Sequence, residues 1–443
     1  MLRKIRKLIF HPYRYFYDYL RKRLGFKKYF VTEVMKPYRE EENRIWHKLL
    51  RTYPSLYLYD LLRKKLHKAP YPIITDYRLE SISKDSTGRG KTLALVIELE
   101  NCNKVYFSDA GIVLKALSKK EPYIAPTFLR LQFKGYGNTL FIGANAKIRP
   151  RSRIIFNGSH NTFHIGNDFT IHSDAQIIFN GSSNTMHIKN NCQLKPDSKV
   201  TFTKDKNCAF IGPKTIINPQ ANIHFDGVNS LVFLYGNNNF NGDAQMRTDC
   251  MLFIGDKFSV GSRFTCSTGE RRSIIIGSDC MFSFDVYLIS YEGHMLYDAG
   301  TRRRTSHAKS VIIGDHVWLG RKVQVLKGTH IGDGSMVGAR SIVTKSVSEK
   351  TVCAGAPART IRKNILWDRY SLTNGSAAQI LDREAFKQPD YEYKPIGLEK
   401  LIKIDGISQD TDATEKLDLI KSILNEPAPE MYHWAADTNP LIE

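Results

Sequence analysis

Apolar residues recur every six positions over more than half of this chain. In the clearest stretch they are six apart without exception, at Ile313, Leu319, Val325, Ile331, Val337 and Val343. An amphipathic helix would repeat every 3.6 residues and a simple strand every two, so neither explains this spacing. The pattern instead predicts short strands that turn a corner after each six-residue step.

A longer period confirms that these steps form a solenoid. The segment Asn138-Thr-Leu-Phe-Ile-Gly returns in related form at Asn161, Asn184 and Asn207, each time after 23 residues. Ile313 and Ile331 are 18 residues apart, which is three steps and one triangular coil, and the 23-residue units add five residues at one corner. Self-similarity at a fixed period indicates stacked repeats. Inward residues should then stack one coil apart, at about 4.8 Å.

The repeat divides the chain into four parts. Residues 138–364 are predicted to form a parallel β-helix, and the chain as a whole is mainly β. Residues 71–137 predict a small mixed or β cap domain. Residues 1–70 predict a basic, amphipathic, helical segment, and residues 365–443 a helical or partly ordered tail whose best helix runs from 417 to 424.

Charge is concentrated at the start of the sequence. The net charge is +21, and residues 1–70 hold 19 Lys and Arg against 6 Asp and Glu. Basic residues around a Tyr- and Phe-rich stripe suit a helix that lies on an anionic membrane surface or binds an acidic acceptor. The alternative is a solvated basic helix that packs its aromatic residues on the rest of the chain. No recognised motif supports nucleic-acid binding.

Other classes are disfavoured by composition. The apolar runs are far shorter than the ~18 residues of a membrane-spanning helix. The N-terminus builds no continuous apolar region of a secretory signal. The seven cysteines include no CxxC pair, and no cluster has metal-ligand spacing. We expect a cytoplasmic protein without a metal, peripheral at the inner face of the cytoplasmic membrane.

One interval breaks the repeat and marks the candidate site. Ile276 and Ile313 are 37 residues apart, too many for one coil, and the excess predicts a loop over 289–310. A long loop that leaves a rigid scaffold is a common location for function.

The loop and the coils that follow it resemble a known family. Ser290-x-Glu292-Gly293-His294 and the six hexapeptide units from Ile313 are similar to the hexapeptide-repeat O-acetyltransferases of the galactoside, maltose and polysaccharide-modifying type. The resemblance implies a left-handed β-helix. It also implies that His294 is the catalytic base, because in this family the loop histidine has that role. A base of near-neutral pKa suits removal of a hydroxyl proton during acyl transfer.

The resemblance, together with the chemistry of the side chains, indicates further site residues. Glu292 or Asp298 is suited to orient His294, although the family more often has Asp where Glu292 stands. Acetyl-CoA, the co-substrate, is expected along the last coils in a groove between neighbouring prisms of a homotrimer. The positions that match the family are Gly320, Ala339, Arg340, Ser341 and Lys345. Trp318, an outward aromatic residue, is suited to stack on the co-substrate, and the cations Arg362 and Lys363 are suited to its phosphates. The candidate residues for binding the glycan acceptor are Ser290, Trp318, Arg302, Arg303 and Arg304. The three arginines are suited to an anionic polymer.

These observations favour an acetyl-CoA-dependent O-acetyltransferase that modifies capsular or lipopolysaccharide sugars. The basic N-terminus also resembles the leader of many bacterial capsule and lipopolysaccharide enzymes. Two alternatives stay open. A nucleotide-linked amino sugar or an antibiotic would make the chain a small-molecule N- or O-acetyltransferase, and a non-catalytic β-helix would make it a polysaccharide-binding scaffold.

Overall fold

The computed structural model describes residues 74–84, 91–99, 102–107, 130–149, 151–371, 373, 375–386, 395–407 and 409–425. The predicted basic segment 1–70 lies outside these residues, as does the stretch 108–129 of the predicted cap. Among the described helices, none is long and apolar enough to cross a membrane.

The repeat folds into three long sheets that run the length of a prism, as the six-residue period predicts. Each coil gives one strand to each sheet, and neighbouring coils pair in parallel. In sheet A the parallel strands are β5 (Thr139–Ile142), β8 (Thr162–Ile165), β11 (Thr185–Ile188), β14 (Cys208–Ile211), β17 (Leu231–Gly236), β20 (Met251–Asp256), β23 (Ile274–Ile276), β26 (Val311–Ile313) and β29 (His330–Ile331).

Sheets B and C complete the prism. Sheet B consists of β4 (Arg130–Phe133), β7 (Arg153–Phe156), β10 (Gln176–Phe179), β13 (Lys199–Phe202), β16 (Asn222–Phe225), β19 (Gly242–Met246), β22 (Phe264–Ser267), β25 (Tyr287–Ile289), β28 (Gln324–Val325) and β31 (Ile342–Val343). Sheet C consists of β6 (Lys147–Ile148), β9 (Thr170–Ile171), β12 (Gln193–Leu194), β15 (Ile216–Ile217), β18 (Asn239–Phe240), β21 (Ser259–Val260), β24 (Met281–Phe282), β27 (Trp318–Leu319), β30 (Met336–Val337), β32 (Thr351–Gly355) and β33 (Ala358–Lys363).

The two ends of the prism differ from its middle. At the N-terminal end, the antiparallel strands β1 (Ile74–Lys84), β2 (Lys91–Leu99) and β3 (Asn103–Phe107) extend sheet A through β3, which pairs in parallel with β5. Sheet B already includes β4, which precedes the predicted start at 138. At the other end β33 turns back antiparallel to β32.

Inward side chains stack in columns along the prism axis. The rings of Phe133, Phe156 and Phe179 are parallel and 4.7 Å apart from one coil to the next. The column continues with the same geometry through Phe202 and Phe225. This spacing is the distance between strands of a sheet. The predicted inward stacking is therefore confirmed.

A column of asparagines lines one corner of the first coils. Asn161 is fully buried and its Nδ2 donates to Oδ1 of Asn138 over 3.0 Å. Its own Oδ1 accepts from the backbone N–H and the Nδ2 of Asn184. Each side chain thus satisfies the polar groups of the next coil, which explains why the sequence repeats Asn at 138, 161, 184 and 207.

The outer face of sheet A carries stacked rings. His164 lies 4.2 Å from Phe141 and 4.7 Å from His187, ring centroid to ring centroid. Burial lowers the pKa of His164 to about 4, with a smaller contribution from Lys189. Burial also lowers the pKa of His187 well below its ordinary value. The two imidazoles are therefore neutral members of a packing column.

Part of this outer face is covered by the C-terminal tail, which contains helices α1 (Ala377–Asp382), α2 (Leu398–Asp405) and α3 (Ala413–Leu424). Helices α2 and α3 bury Leu401, Ile404, Leu417 and Ile420. These residues form one apolar cluster with sheet A side chains that point away from the prism axis: Phe210, Phe233, Phe253 and Ile275. The predicted helix from 417 to 424 lies within α3.

Candidate active site

The predicted loop leaves the prism at the corner between sheets B and A. Strand β25 ends at Ile289 and β26 begins at Val311, so the loop occupies the interval expected from the repeat. It folds back on itself as a short hairpin. The N–H of Thr305 donates to the carbonyl of Leu296 over 2.8 Å, and the N–H of Asp298 donates to the carbonyl of Arg303 over 2.9 Å.

The base of the loop is fixed to the prism. Ser290 is fully buried and its hydroxyl accepts from the N–H of Gly269 over 3.1 Å. The carbonyl of Ser290 accepts from the N–H of Lys309 over 3.0 Å, which closes the loop at its exit. In this structure Ser290 therefore holds the start of the loop, and its role in acceptor binding stays a prediction.

His294 lies on the outgoing arm of the hairpin and is exposed to solvent. Among the described residues, no hydrogen-bond partner reaches its ring. An exposed imidazole on a loop whose base is fixed is accessible to the hydroxyl of an incoming acceptor. Its assignment as the base stays a prediction.

The two candidate carboxylates contact other residues. Glu292 Oε1 lies 2.9 Å from the Nζ of Lys327. Asp298 Oδ1 accepts from the N–H and the hydroxyl of Thr301, and these hydrogen bonds hold the pKa of the Asp298 carboxyl below its ordinary value. Asp298 thereby shapes the turn of the hairpin. Orientation of His294 by either carboxylate stays a prediction.

The three loop arginines differ in their surroundings. Arg302 and Arg303 are exposed at the tip of the hairpin. Arg304 is half-buried, and its NH2 lies 2.6 Å from each carboxylate oxygen of Glu270. Of the three, Arg302 and Arg303 are better placed to meet an anionic acceptor, because the charge of Arg304 is already balanced.

The residues assigned to acetyl-CoA lie on the last coils. Ala339, Arg340 and Lys345 are exposed on turns of the prism, and Arg362 and Lys363 are exposed on β33. Two members of the set are enclosed. The hydroxyl of Ser341 is buried and accepts from the N–H of Gly355 over 3.0 Å. A Cβ on Gly320 would lie 2.7 Å from the backbone nitrogen of Ala339, so this position requires glycine for the close approach of two coils.

Trp318 lies on the outer side of sheet C, as its position in the hexapeptide predicts. It is half-buried in the ladder between Met281 and Met336. Its ring centroid is 5.8 Å from that of Trp367, a buried residue of the segment that follows the prism. The exposed part of Trp318 remains accessible to a ligand.

Sequence reasoning missed several residues around the loop. Lys327 contacts both arms of the loop, and Glu270 holds Arg304. Arg247 lies over the ring of Tyr291 at 5.2 Å and donates to its hydroxyl over 3.1 Å. None belongs to a motif, and all lie on different coils. Only the prism geometry brings them together. Among the described residues, no group of three or more His, Cys, Asp or Glu could hold a metal ion.

Comparisons with known proteins show which family this chain resembles. Residues 310–345 match the family model described as bacterial transferase hexapeptide (six repeats). The polysialic acid O-acetyltransferase of Neisseria meningitidis is 30% identical over 153 residues, which cover 32% of this chain and 71% of that protein. The chain belongs to the hexapeptide-repeat O-acetyltransferases.

Two further proteins are similar to this chain. The polysialic acid O-acetyltransferase of Escherichia coli O1:K1 is 33% identical over 138 residues, which cover 31% of this chain and 45% of that protein. The chain thus spans less than half the length of this relative. The solved polysialic acid O-acetyltransferase OatWY aligns with 47% of this chain and 96% of its own, with 29% identity and a TM-score of 0.43. At the level of the family, the predicted acyltransferase is confirmed.

Proposed function

We propose that the protein transfers an acetyl group from acetyl-CoA to a hydroxyl of a bacterial capsular or lipopolysaccharide glycan. The observation that carries this proposal is the exposed His294 on a fixed loop, immediately before the coils of the family match at 310–345. The names of the relatives support a glycan as the acceptor class.

His294 acts as the general base. Its imidazole takes the proton of the acceptor hydroxyl as the oxygen attacks the acyl carbon, a contribution of about 10²- to 10⁴-fold in rate. The C–S bond of the thioester then breaks, the acetyl group stays on the acceptor oxygen, and coenzyme A leaves as a thiolate that takes up the proton to give the free thiol. Acetyl-CoA supplies an acetyl group already activated as a thioester, so a direct transfer requires no Ser or Cys nucleophile on the enzyme. The exposure of His294 supports this role, because acceptor and base must meet at the surface.

The exposed cations at the end of the prism suit the phosphates of coenzyme A. Lys345 lies on a turn after β31, and Arg362 and Lys363 lie on β33, so the end of the prism carries three exposed positive charges. Charge-assisted hydrogen bonds from such groups bind phosphate oxygens strongly. Arg340 and the exposed part of Trp318 add a further cation and an aromatic face on the last coils. A neighbouring subunit of a homotrimer would complete the groove.

The acceptor is proposed to be anionic. Arg302 and Arg303 are exposed at the tip of the loop that carries His294. A polymer with carboxylate or phosphate groups would be held there while one of its hydroxyls meets the imidazole. The basic segment 1–70 would hold the enzyme at the inner face of the cytoplasmic membrane, where such polymers are made.

The test is acceptor-dependent release of free thiol from acetyl-CoA by the full-length protein, with a panel of capsular and lipopolysaccharide glycans. His294→Ala should abolish release while the circular dichroism spectrum and the melting temperature stay unchanged. His224→Ala is the matched control, because His224 lies half-buried on the outer face of β16, far from the loop in sequence. It should retain wild-type activity.

The outcomes separate the alternatives. Full activity of His294→Ala would overturn the assignment of the base. Release with nucleotide-linked sugars and with no glycan would indicate a small-molecule acceptor. Absence of measurable acetyl-CoA binding would indicate a scaffold.

A further inference from the structure

One amine connects both arms of the active-site loop. Lys327 lies in the turn between β28 and β29, and its side chain is only 19% exposed. Its Nζ lies 2.9 Å from Oε1 of Glu292, near the start of the loop. The same Nζ donates to the carbonyl of His307, near the end of the loop, over 2.9 Å. A lysine ammonium has three donors, so it can make both contacts at once.

The Glu292 carboxylate is unevenly exposed: its side chain is 39% exposed as a whole. Its second oxygen, Oε2, is buried and accepts no hydrogen bond from any described residue. Lys327 is therefore the one cation that the described structure pairs with this carboxylate. Removing Lys327 leaves this partly buried carboxylate without its described counter-ion, which costs more than loss of a fully exposed pair.

A second ion pair fixes the returning arm of the loop to the prism. Arg304 pairs with Glu270, a residue of the preceding coil, through two short contacts to its carboxylate. Lys327 belongs to the coil that follows the loop. The hairpin that carries His294 is thus fastened to the prism on both sides, and Glu292 is only two residues from His294.

We propose that Lys327 is a positioning residue, which fastens the two ends of the loop together and thereby holds His294 where the acceptor hydroxyl arrives. This inference rests on the proposed function for its effect on turnover. Glu292 then acts on the backbone that carries His294, through its pair with Lys327. Lys327 itself does not touch acceptor or acetyl-CoA.

The test compares Lys327→Met, Glu292→Gln, the double variant and Lys327→Arg in the full-length protein. Lys204→Met is the matched control, since Lys204 is exposed on a turn of an earlier coil. The first readout is hydrogen–deuterium exchange of peptides from the loop, whose hairpin amides at Leu296, Asp298 and Thr305 are hydrogen-bonded. The second readout is kcat and KM with the active glycan.

In Lys327→Met, loop exchange should become about tenfold faster, as expected for loss of a charge-assisted hydrogen bond that closes the loop. The value of kcat should fall by about tenfold with KM for acetyl-CoA unchanged, because the interaction acts on the geometry of the base. The double variant should be no worse than Lys327→Met, since that substitution already removes both the pair and the contact to the His307 carbonyl. Lys327→Arg, which keeps the charge, should recover most of both properties.

Unchanged loop exchange in both Lys327→Met and Glu292→Gln would overturn the proposal, even if activity fell. Faster exchange with unchanged kcat would overturn the positioning role. If the wild-type protein transfers acetyl to no acceptor, the proposed function fails, and the exchange data still decide whether Lys327 fastens the loop.

Discussion

The imidazole of His316 stacks on the indole of Trp367, with ring centroids 3.9 Å apart and planes 8° from parallel. The indole N–H donates to the carbonyl of His316 over 3.0 Å. His316 Nδ1 lies 2.7 Å from a carboxylate oxygen of Asp279, whose other oxygen accepts from Arg369 over 2.6 Å. This cluster fastens the segment after the prism to a corner next to sheet C.

The first prediction concerns this cluster. Asp279→Asn removes a buried charge that serves both His316 and Arg369, and it should lower stability by about 2 kcal/mol. The control is Asp285→Asn, which has the same left-handed backbone conformation and pairs with the exposed Arg263. It should cost less than ~1 kcal/mol. Thermal and urea denaturation measure the free energy of unfolding of the two variants. Equal losses of stability would contradict a special contribution of the Asp279 cluster.

The second prediction concerns acid. The folded protein keeps His164 neutral down to about pH 4, whereas an unfolded chain protonates near its ordinary value of 6.5. The unfolded state therefore binds more protons in this window. Stability should be complete above about pH 6.5 and fall toward pH 4, by at most about 3 kcal/mol for this group.

The variant that tests this is His164→Phe, which extends the ring column with the side chain already found at Phe141. It should flatten the pH dependence of the melting temperature between pH 6.5 and 4. His224→Phe, on the outer face of sheet B, is the control. If the melting temperature of His164→Phe falls with acid as steeply as that of the wild type, protonation of His164 is not the cause of the loss of stability.

The third prediction concerns the tail. Ile420 is fully buried between α3 and sheet A, and Ile420→Ala should cost about 2–4 kcal/mol. Leu419→Ala changes a neighbouring side chain that is 41% exposed and should stay within ~0.5 kcal/mol. Increased binding of a hydrophobic dye should accompany the first change only. If the packing of the tail does not contribute to stability, Ile420→Ala and Leu419→Ala should have the same free energy of unfolding.

The fourth prediction concerns the asparagine column. Asn161→Ala removes the acceptor for two donors of Asn184, both buried, and should lower stability by about 2 kcal/mol. The control is Asn157→Ala, whose side chain makes an exposed contact with Asn180 in the same coil corner. It should be close to neutral. Equal melting temperatures for the two variants would show that the column is not stabilising.

The prism was predictable from the sequence because each strand and turn of a coil follows the same short pattern of apolar residues. Inward residues such as Ile154 and Val325 lie at positions six apart. The six-residue period therefore identifies the core, and its interruption identifies the loop that leaves the prism. The corner with five extra residues also followed from the spacing, and its repeated Asn proved to be the buried column.

The contacts around the loop were not predictable, because they join coils. Lys327 and Glu292 are 35 positions apart, and only the geometry of the corner brings their side chains into contact. Trp367 lies after the repeat ends, where no period constrains it. The coverage of sheet A by α2 and α3 likewise depends on outward side chains such as Phe233, which the six-residue period does not identify.

The antiparallel return of β33 has a consequence for assembly. A solenoid that ended on a bare parallel strand would offer its edge to the next molecule, and end-to-end addition would build a filament. Strand β33 instead forms the last strand of sheet C and carries Arg359, Arg362 and Lys363, all exposed. Like charges on two such edges repel each other. Exposed cations on this edge strand therefore disfavour its pairing with a β33 edge of another molecule.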